Sequence, residues 1–448
     1  MTAPTPPTPP TARHRRPAAV AAIAVGAIAL AVATVLTITD RPAEPAAALA
    51  PTSAAVGGDL RRSVQILRDR LRTNDSDHAA WAQLGAAHVE LARVTADPSH
   101  YDRAQGALDR SLSLRPDGNG PAMIGLGALA NARHDFAAAK DWATRALTAL
   151  PDTAPGYGVL ADALTQLGEA DAATEAVQRM LDLRPSVASF TRASYDLELH
   201  GRVDEARTAM ERALADATTA DEVAFTRYHL GELALNGGRV DEARAQYEQG
   251  LAAVPGDPRP RQGLAKVAAA RGDLPTALAS YRDLVATVPL PQYVQEYAAL
   301  LTAVGRTSDA AVQFDLLARQ QLLAETAGAT DDLAAAGVAA DRGDAAESLR
   351  RAEAEWGRRR HVLVADALAW ALHLNGRDAE ALPFADRAMA LGTVDAGFAY
   401  HRGMILRALG RTGEATDQLA VALRINPHFS PVHGPLADRA LAELRSGR

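Results

Sequence analysis

The chain has 448 residues, 54 acidic against 47 basic for a net charge of −7, and no cysteine. An acidic balance without a basic stripe argues against a nucleic-acid binder. The missing thiol excludes disulfides, thiolate metal sites and a lipoprotein anchor. Hydrophobic residues make up 48% and aromatics only 4%, so alanine must fill a continuous core. Lys140 and Lys266 are the only lysines. With the Ala and Pro excess, this usage is that of a GC-rich bacterial genome, such as an actinobacterium's.

Residues 1–17 open with a Pro/Thr-rich stretch and close on Arg13, Arg15 and Arg16, which predicts a disordered cytoplasmic N-terminus. Ala18 to Ile38 then runs 21 residues without a charge. At ~1.5 Å per residue it spans ~31 Å, close to the ~30 Å hydrocarbon core, so residues 18–39 are predicted as a transmembrane helix. Three arginines before it, against Arg41, Asp40 and Glu44 after it, place the rest of the chain on the extracytoplasmic side of a cell membrane. A cleaved signal peptide is the rival reading, with Ala48-Leu49-Ala50 as a small-x-small site and a secreted product. Residues 40–58 read as a Pro/Ala-rich linker and 59–448 as one helical array with a capping helix at each end. Leu60, Val64, Leu67 and Leu71 share one face of the first cap, and Pro435 to Arg445 is the second.

The array is periodic. Gly-Arg-Val-Asp-Glu-Ala-Arg stands at Gly201 and again at Gly238. Ala104, Ala139, Ala173, Ala206, Ala243, Ala277, Ala310, Ser348, Ala381 and Ala415 mark the beat, with gaps of 33 to 38. Such a period means stacked helical hairpins. The marker is small because two helices approach closely there. A larger residue such as Leu108, Tyr247, Tyr281 or Phe314 follows four positions later on the same helix face. Glycine stands five positions before most markers and closes the preceding helix. Asp204, Asp241, Thr307 and Thr412 read as caps for the next one. Prolines at 116, 151, 185, 255, 289 and 427 end second helices. The first copy has extra residues between its helices around Val94 to His100. Leu322 to Ala329 exceeds the beat, which predicts an extended helix, and the eighth copy carries Ser348 and no Leu-Gly pair.

Trp81-Ala82-Gln83-Leu84-Gly85 with Ala86 and Ala87 is the best first helix, echoed at Leu126-Gly127, Leu230-Gly231 and Leu264-Ala265. With the marker alanine and terminal proline, this pattern resembles the tetratricopeptide repeat family, ten copies covering Asp77 to Pro427. The resemblance implies an all-α, right-handed superhelical solenoid of ten hairpins after one transmembrane helix. It also implies a concave groove that binds a protein or peptide partner. Carried over by register, Tyr195, Glu198, Tyr228, Glu232, Arg259, Gln262, Lys266, Gln292 and Gln295 face that groove. Ala82 and Ala86 stand where chaperone-binding relatives hold a carboxylate clamp, which disfavours that partner class.

No constellation for chemistry stands out. There is no phosphate-cradling glycine loop and no His-Glu-x-x-His. His428 and His433 read as loop residues, His373 and His401 as ordinary helix positions, and Trp81, Trp142, Trp356 and Trp370 as packing. No enzyme, cofactor, metal or nucleic acid is expected. The expectation is a membrane-anchored protein–protein scaffold. The alternative is an assembly factor of the cytochrome c maturation type, on a resemblance confined to the anchor, linker and first hairpin.

Overall fold

The computed structural model describes residues 53–446, which form helices and no strand. The single helices α1 (Ser53–Thr73) and α22 (His433–Ser446) bracket ten hairpins. The first five pair α2 (His78–Thr95) with α3 (Ser99–Leu114), α4 (Gly120–Ala132) with α5 (Phe136–Ala149), α6 (Ala154–Leu167) with α7 (Ala170–Leu183), α8 (Val187–Leu199) with α9 (Val203–Asp216), and α10 (Ala220–Asn236) with α11 (Val240–Ala253). The rest pair α12 (Pro258–Ala270) with α13 (Leu274–Thr287), α14 (Pro291–Ala303) with α15 (Thr307–Thr326), α16 (Asp332–Asp341) with α17 (Ala345–Arg358), α18 (Val362–Leu374) with α19 (Asp378–Ala388), and α20 (Ala396–Ala408) with α21 (Thr412–Ile425). The expected membrane span at 18–39 lies outside the described residues. Among the described residues no helix is long and apolar enough to cross a membrane.

The ten markers are all buried, Ser348 among them. Their small size leaves room for the large residue four positions on. Gly231 and Gly263 flank the Tyr247 ring so closely that a Cβ on either would strike it, and at Gly231 this is the physical content of the Leu-Gly signature. At the hairpin turns, glycines from Gly168 to Gly410 adopt positive φ, and His134 takes the same left-handed conformation in the second hairpin at φ 60.

Two local expectations change. Asp204, Asp241, Thr307 and Thr412 do not cap; each lies inside the first turn, and the N-cap is the arginine before it. That arginine binds an acid three residues on: Arg202 to Glu205 at 2.6 Å, Arg306 to Asp309 at 2.7 Å and Arg411 to Glu414 at 2.6 Å. The repeated Gly-Arg-x-x-Glu is therefore an ion-paired helix start, with Asp204 and Asp241 placed well for the helix dipole. In the first hairpin, the extra residues around Val94 to His100 mostly extend the helices and leave only residues 96–98 between them. They lengthen α2 to 18 residues and α3 to 16, with the turn at Ala96 in a left-handed conformation. The predicted extension near Leu322 is α15, which has 20 residues and leaves Leu322 and Leu323 exposed.

Even-numbered helices from α2 to α12, and again from α16 to α20, pack on one another across hairpins; odd-numbered helices pack closely only on their sequence neighbours. The even helices therefore line the inner, tighter radius. The coil is tight enough for its second turn to rest on its first. Thr330 N donates to Arg133 O at 3.1 Å and Arg360 N to Leu167 O at 3.1 Å. Thr393 Oγ1 donates to Leu199 O at 2.5 Å and Asn426 Nδ2 to Leu235 O at 2.9 Å. These last two join residues 194 and 191 apart in sequence, between five and six repeats. Hairpin turns of the first coil thus receive the inter-hairpin loops of the second, step after step. Leu199, Val362, Ala365, Ala388 and Phe398 form an apolar core across this seam. The buried Arg359 donates to Gln166 across it and lies 5.0 Å above the Phe136 ring.

Candidate functional site

The nine residues placed in the groove by register fall into three groups. Tyr228, Glu232, Gln262 and Lys266 form one hydrogen-bonded ladder on the inner helices α10 and α12. Tyr228 Oη donates to Gln262 Oε1 at 2.8 Å, and Gln262 Nε2 donates to Glu296 Oε1 at 2.7 Å. Lys266 Nζ donates to Glu232 Oε2 at 2.8 Å and lies 3.2 Å from Glu296. From the outer helices, Tyr247 Oη donates to Glu232 at 2.5 Å and Tyr281 Oη to Glu296 at 3.0 Å. Three of these links join residues 34 apart, the same position in successive hairpins.

Burial opposes charge throughout this ladder, but the pairing outweighs it. Burial works against ionisation of Glu232, yet Lys266 and Tyr247 hold its carboxyl below the ordinary range. Burial likewise works against the Lys266 ammonium, and Glu232 and Glu296 keep it charged well past its usual range. Tyr228 is only 5% exposed and its hydroxyl is pushed up, first by burial and then by Glu232. Gln262 is buried as well. These side chains serve first to bind the hairpins to one another. Tyr247, Tyr281 and Glu296 complete the ladder; sequence reasoning treats the two tyrosines as packing and misses Glu296. The 34-residue spacing from Tyr228 through Gln262 to Glu296 is the signal that finds it.

The second group is more open. Arg259 is half-buried, bound to Asp257 at 2.6 Å and Asp221 at 2.7 Å, with its guanidinium 5.6 Å from the Phe225 ring centre. Gln292 and Gln295 lie on α14, half-buried, and Gln295 donates to Asp341 at 3.2 Å. The third group, Tyr195 and Glu198, sits elsewhere, at the seam between superhelical turns. Tyr195 packs against the apolar seam core. Glu198 lines a cleft with Asp395 of the second turn.

The histidines expected to be ordinary are drawn together around Trp370. His401 stacks on it at 4.2 Å, and His373 and His433 lie at 4.9 and 5.5 Å. His401 Nδ1 is 2.9 Å from Asp366 Oδ2, and burial pushes His433 down to about 4. Among the described residues, no group of three His, Cys, Asp or Glu side chains is arranged to hold a metal ion.

Residues 197–267, which carry the ladder's Tyr228, Glu232, Tyr247, Gln262 and Lys266, match the family model described as tetratricopeptide repeat. The match covers this segment of the chain. The other hairpins share its period and its buried small marker. Among solved structures, the chain is similar to a thermophilic TPR protein of Thermus thermophilus, at 24% identity and TM-score 0.38 over 42% of this chain and 98% of that one. It is similar to a tetratricopeptide repeat protein of Parabacteroides merdae, at 17% identity and TM-score 0.35 over 58% of this chain and 98% of that one. A third is a chain of the APC/C hetero-tetramer Cut9-Hcn1, at 14% identity and TM-score 0.34 over 87% of this chain and 97% of that one. No curated protein matches the chain. No catalytic family is indicated, and tetratricopeptide repeats generally bind protein partners.

Proposed function

We propose that this protein is a membrane-anchored scaffold that holds a protein partner on the concave side of its tetratricopeptide superhelix, outside the cytoplasmic membrane. The repeat match carries the binding role. The uncharged run from Ala18 to Ile38, with arginines before it, supports the anchor and its orientation. Since Tyr228 and Gln262 are engaged within the ladder and Arg259 by Asp257 and Asp221, the partner's contacts fall on the neighbouring amides Gln292 and Gln295. Two amides on one inner helix suit the backbone of an extended peptide.

A photo-crosslinking side chain at Gln292 in living cells should capture the partner, whereas one at the outward-facing Glu248 should not. Capture from Glu248 alone would move the interface to the convex surface. Orientation is tested separately: protease added to intact protoplasts should digest the repeats. Protection until the membrane is broken would contradict it.

A further inference from the structure

The seam between superhelical turns encloses a cleft of about 220 Å³. The first turn contributes Tyr195 and Glu198 from α8 and Asn236 from the end of α10; the second contributes Asp395, Phe398 and Phe429. Neither half is a cleft by itself. It exists because Thr393 is tied to Leu199 and Asn426 to Leu235, which bring the walls together.

The lining has a definite chemical character. Glu198 and Asp395 are both half-buried, and neither is ion-paired with an Arg, Lys or His among the described residues. The side chain of Asn236 hydrogen-bonds Glu198, while Asp395 and Glu232 repel its charge. Asp395 accepts from the backbone of Phe398 at 2.9 Å; Asp366 adds further repulsion and His401 offsets it. Burial first, and this repulsion after it, raise Glu198 to about 7, and burial raises Asp395 too. Sequestering a carboxylate without a cation is unfavourable, and a cation supplied from outside relieves it. The other walls include the rings of Tyr195, Phe398 and Phe429 together with the aliphatic Leu199, Leu363 and Val394, a lining that suits an alkyl chain and, at the rings, the approach of an ammonium. A hard divalent ion suits them poorly, since it asks for ~6–8 oxygens and has no use for aromatic walls.

We propose that the inter-turn cleft binds a small alkylammonium ligand, its ammonium held between Glu198 and Asp395 and its chain against Tyr195 and Phe398. The bound ligand ties the second superhelical turn to the first. Binding strengthens as pH rises through about 7, because Glu198 must give up its proton to pair with the ligand. This site is separate from the partner face at Gln292 and Gln295 and stands whether or not that face binds a protein.

Titration calorimetry of the full chain with 1,4-diaminobutane at pH 8 tests it. Saturable binding is expected, weakened about tenfold by Glu198→Gln and by Asp395→Asn. Asparagine keeps the α20 cap, so loss of affinity there is not loss of the helix start, and thermal melts of both variants confirm folding. Glu248→Gln should leave the affinity unchanged. At pH 6 the affinity should fall roughly tenfold as Glu198 takes up its proton. No heat at millimolar diamine, undiminished affinity in both variants, equal binding of uncharged 1,4-butanediol, or calcium binding tighter than the diamine would each overturn the proposal.

Discussion

The Lys266 ladder and the Glu198 cleft both hold carboxylates away from bulk water on inner helices, yet their charge states differ. In the ladder, Glu232 is held ionised because Lys266 and Tyr247 reach it from neighbouring helices. In the cleft, Glu198 is held toward its neutral form first by burial and then by the nearby acids Asp395 and Glu232, which the hydrogen bond from Asn236 does not offset. The ladder is built by the repeat: 34 residues on, the same inner position supplies the partner. The cleft is built by coiling, which brings together residues that the repeat never places in register. Pairing is thus complete in the Lys266 ladder and incomplete in the cleft.

Removing the cation from the ladder should be the most damaging change. Lys266→Met leaves Glu232 and Glu296 facing each other without compensation, and a broken buried pair of this kind costs about 3 kcal/mol or more. Chemical denaturation measures it, and a loss below about 1 kcal/mol would mean water already screens the ladder. Next is the packing behind the ladder. Ala243 is fully buried in the cluster that holds Tyr228 and Tyr247, so Ala243→Leu should overpack it and cost about 1–3 kcal/mol.

The cleft should respond with the opposite sign. Glu198 has a folded pKa of about 7 against an ordinary 4.5. Its contribution to stability is fully present below 4.5 and is lost as pH rises to about 7, because the unfolded chain gives up the proton first. Glu198→Gln should therefore leave the melting temperature unchanged at pH 4 and raise it at pH 8 in the absence of amine. A drop at pH 8 would show that the carboxylate is already paired. Glu248→Ala provides the baseline: its exposed pairing with Arg244 at 2.6 Å should be worth no more than about 0.5 kcal/mol.

Much of the fold was legible because the period carries it. The ten markers, the glycine turns and the larger residues such as Tyr247 and Leu419 all follow from one helix packing closely on the next. Inner-helix positions were legible in register, but their availability was not. Tyr228 and Gln262 do lie on inner helices, but a linear reading could not tell that each would be consumed by a neighbour 34 residues away. The seam was not legible at all. Its contacts span 191 to 194 residues and depend on the superhelical pitch, which is a small rotation per hairpin summed over more than five of them. Nothing local marks Asp395 or Thr393 as facing Glu198 and Leu199.

The closed seam is the claim on which the cleft and its ligand rest. The chain has no cysteine, so Asp204→Cys with Val394→Cys accepts two spin labels and no others. Both positions are exposed and both flank the contact between Gly201 and Gly392. Double electron–electron resonance should give one narrow distance below roughly 25 Å, about two helix diameters. A broad distribution centred beyond roughly 40 Å, about four helix diameters, would show an open coil with no seam.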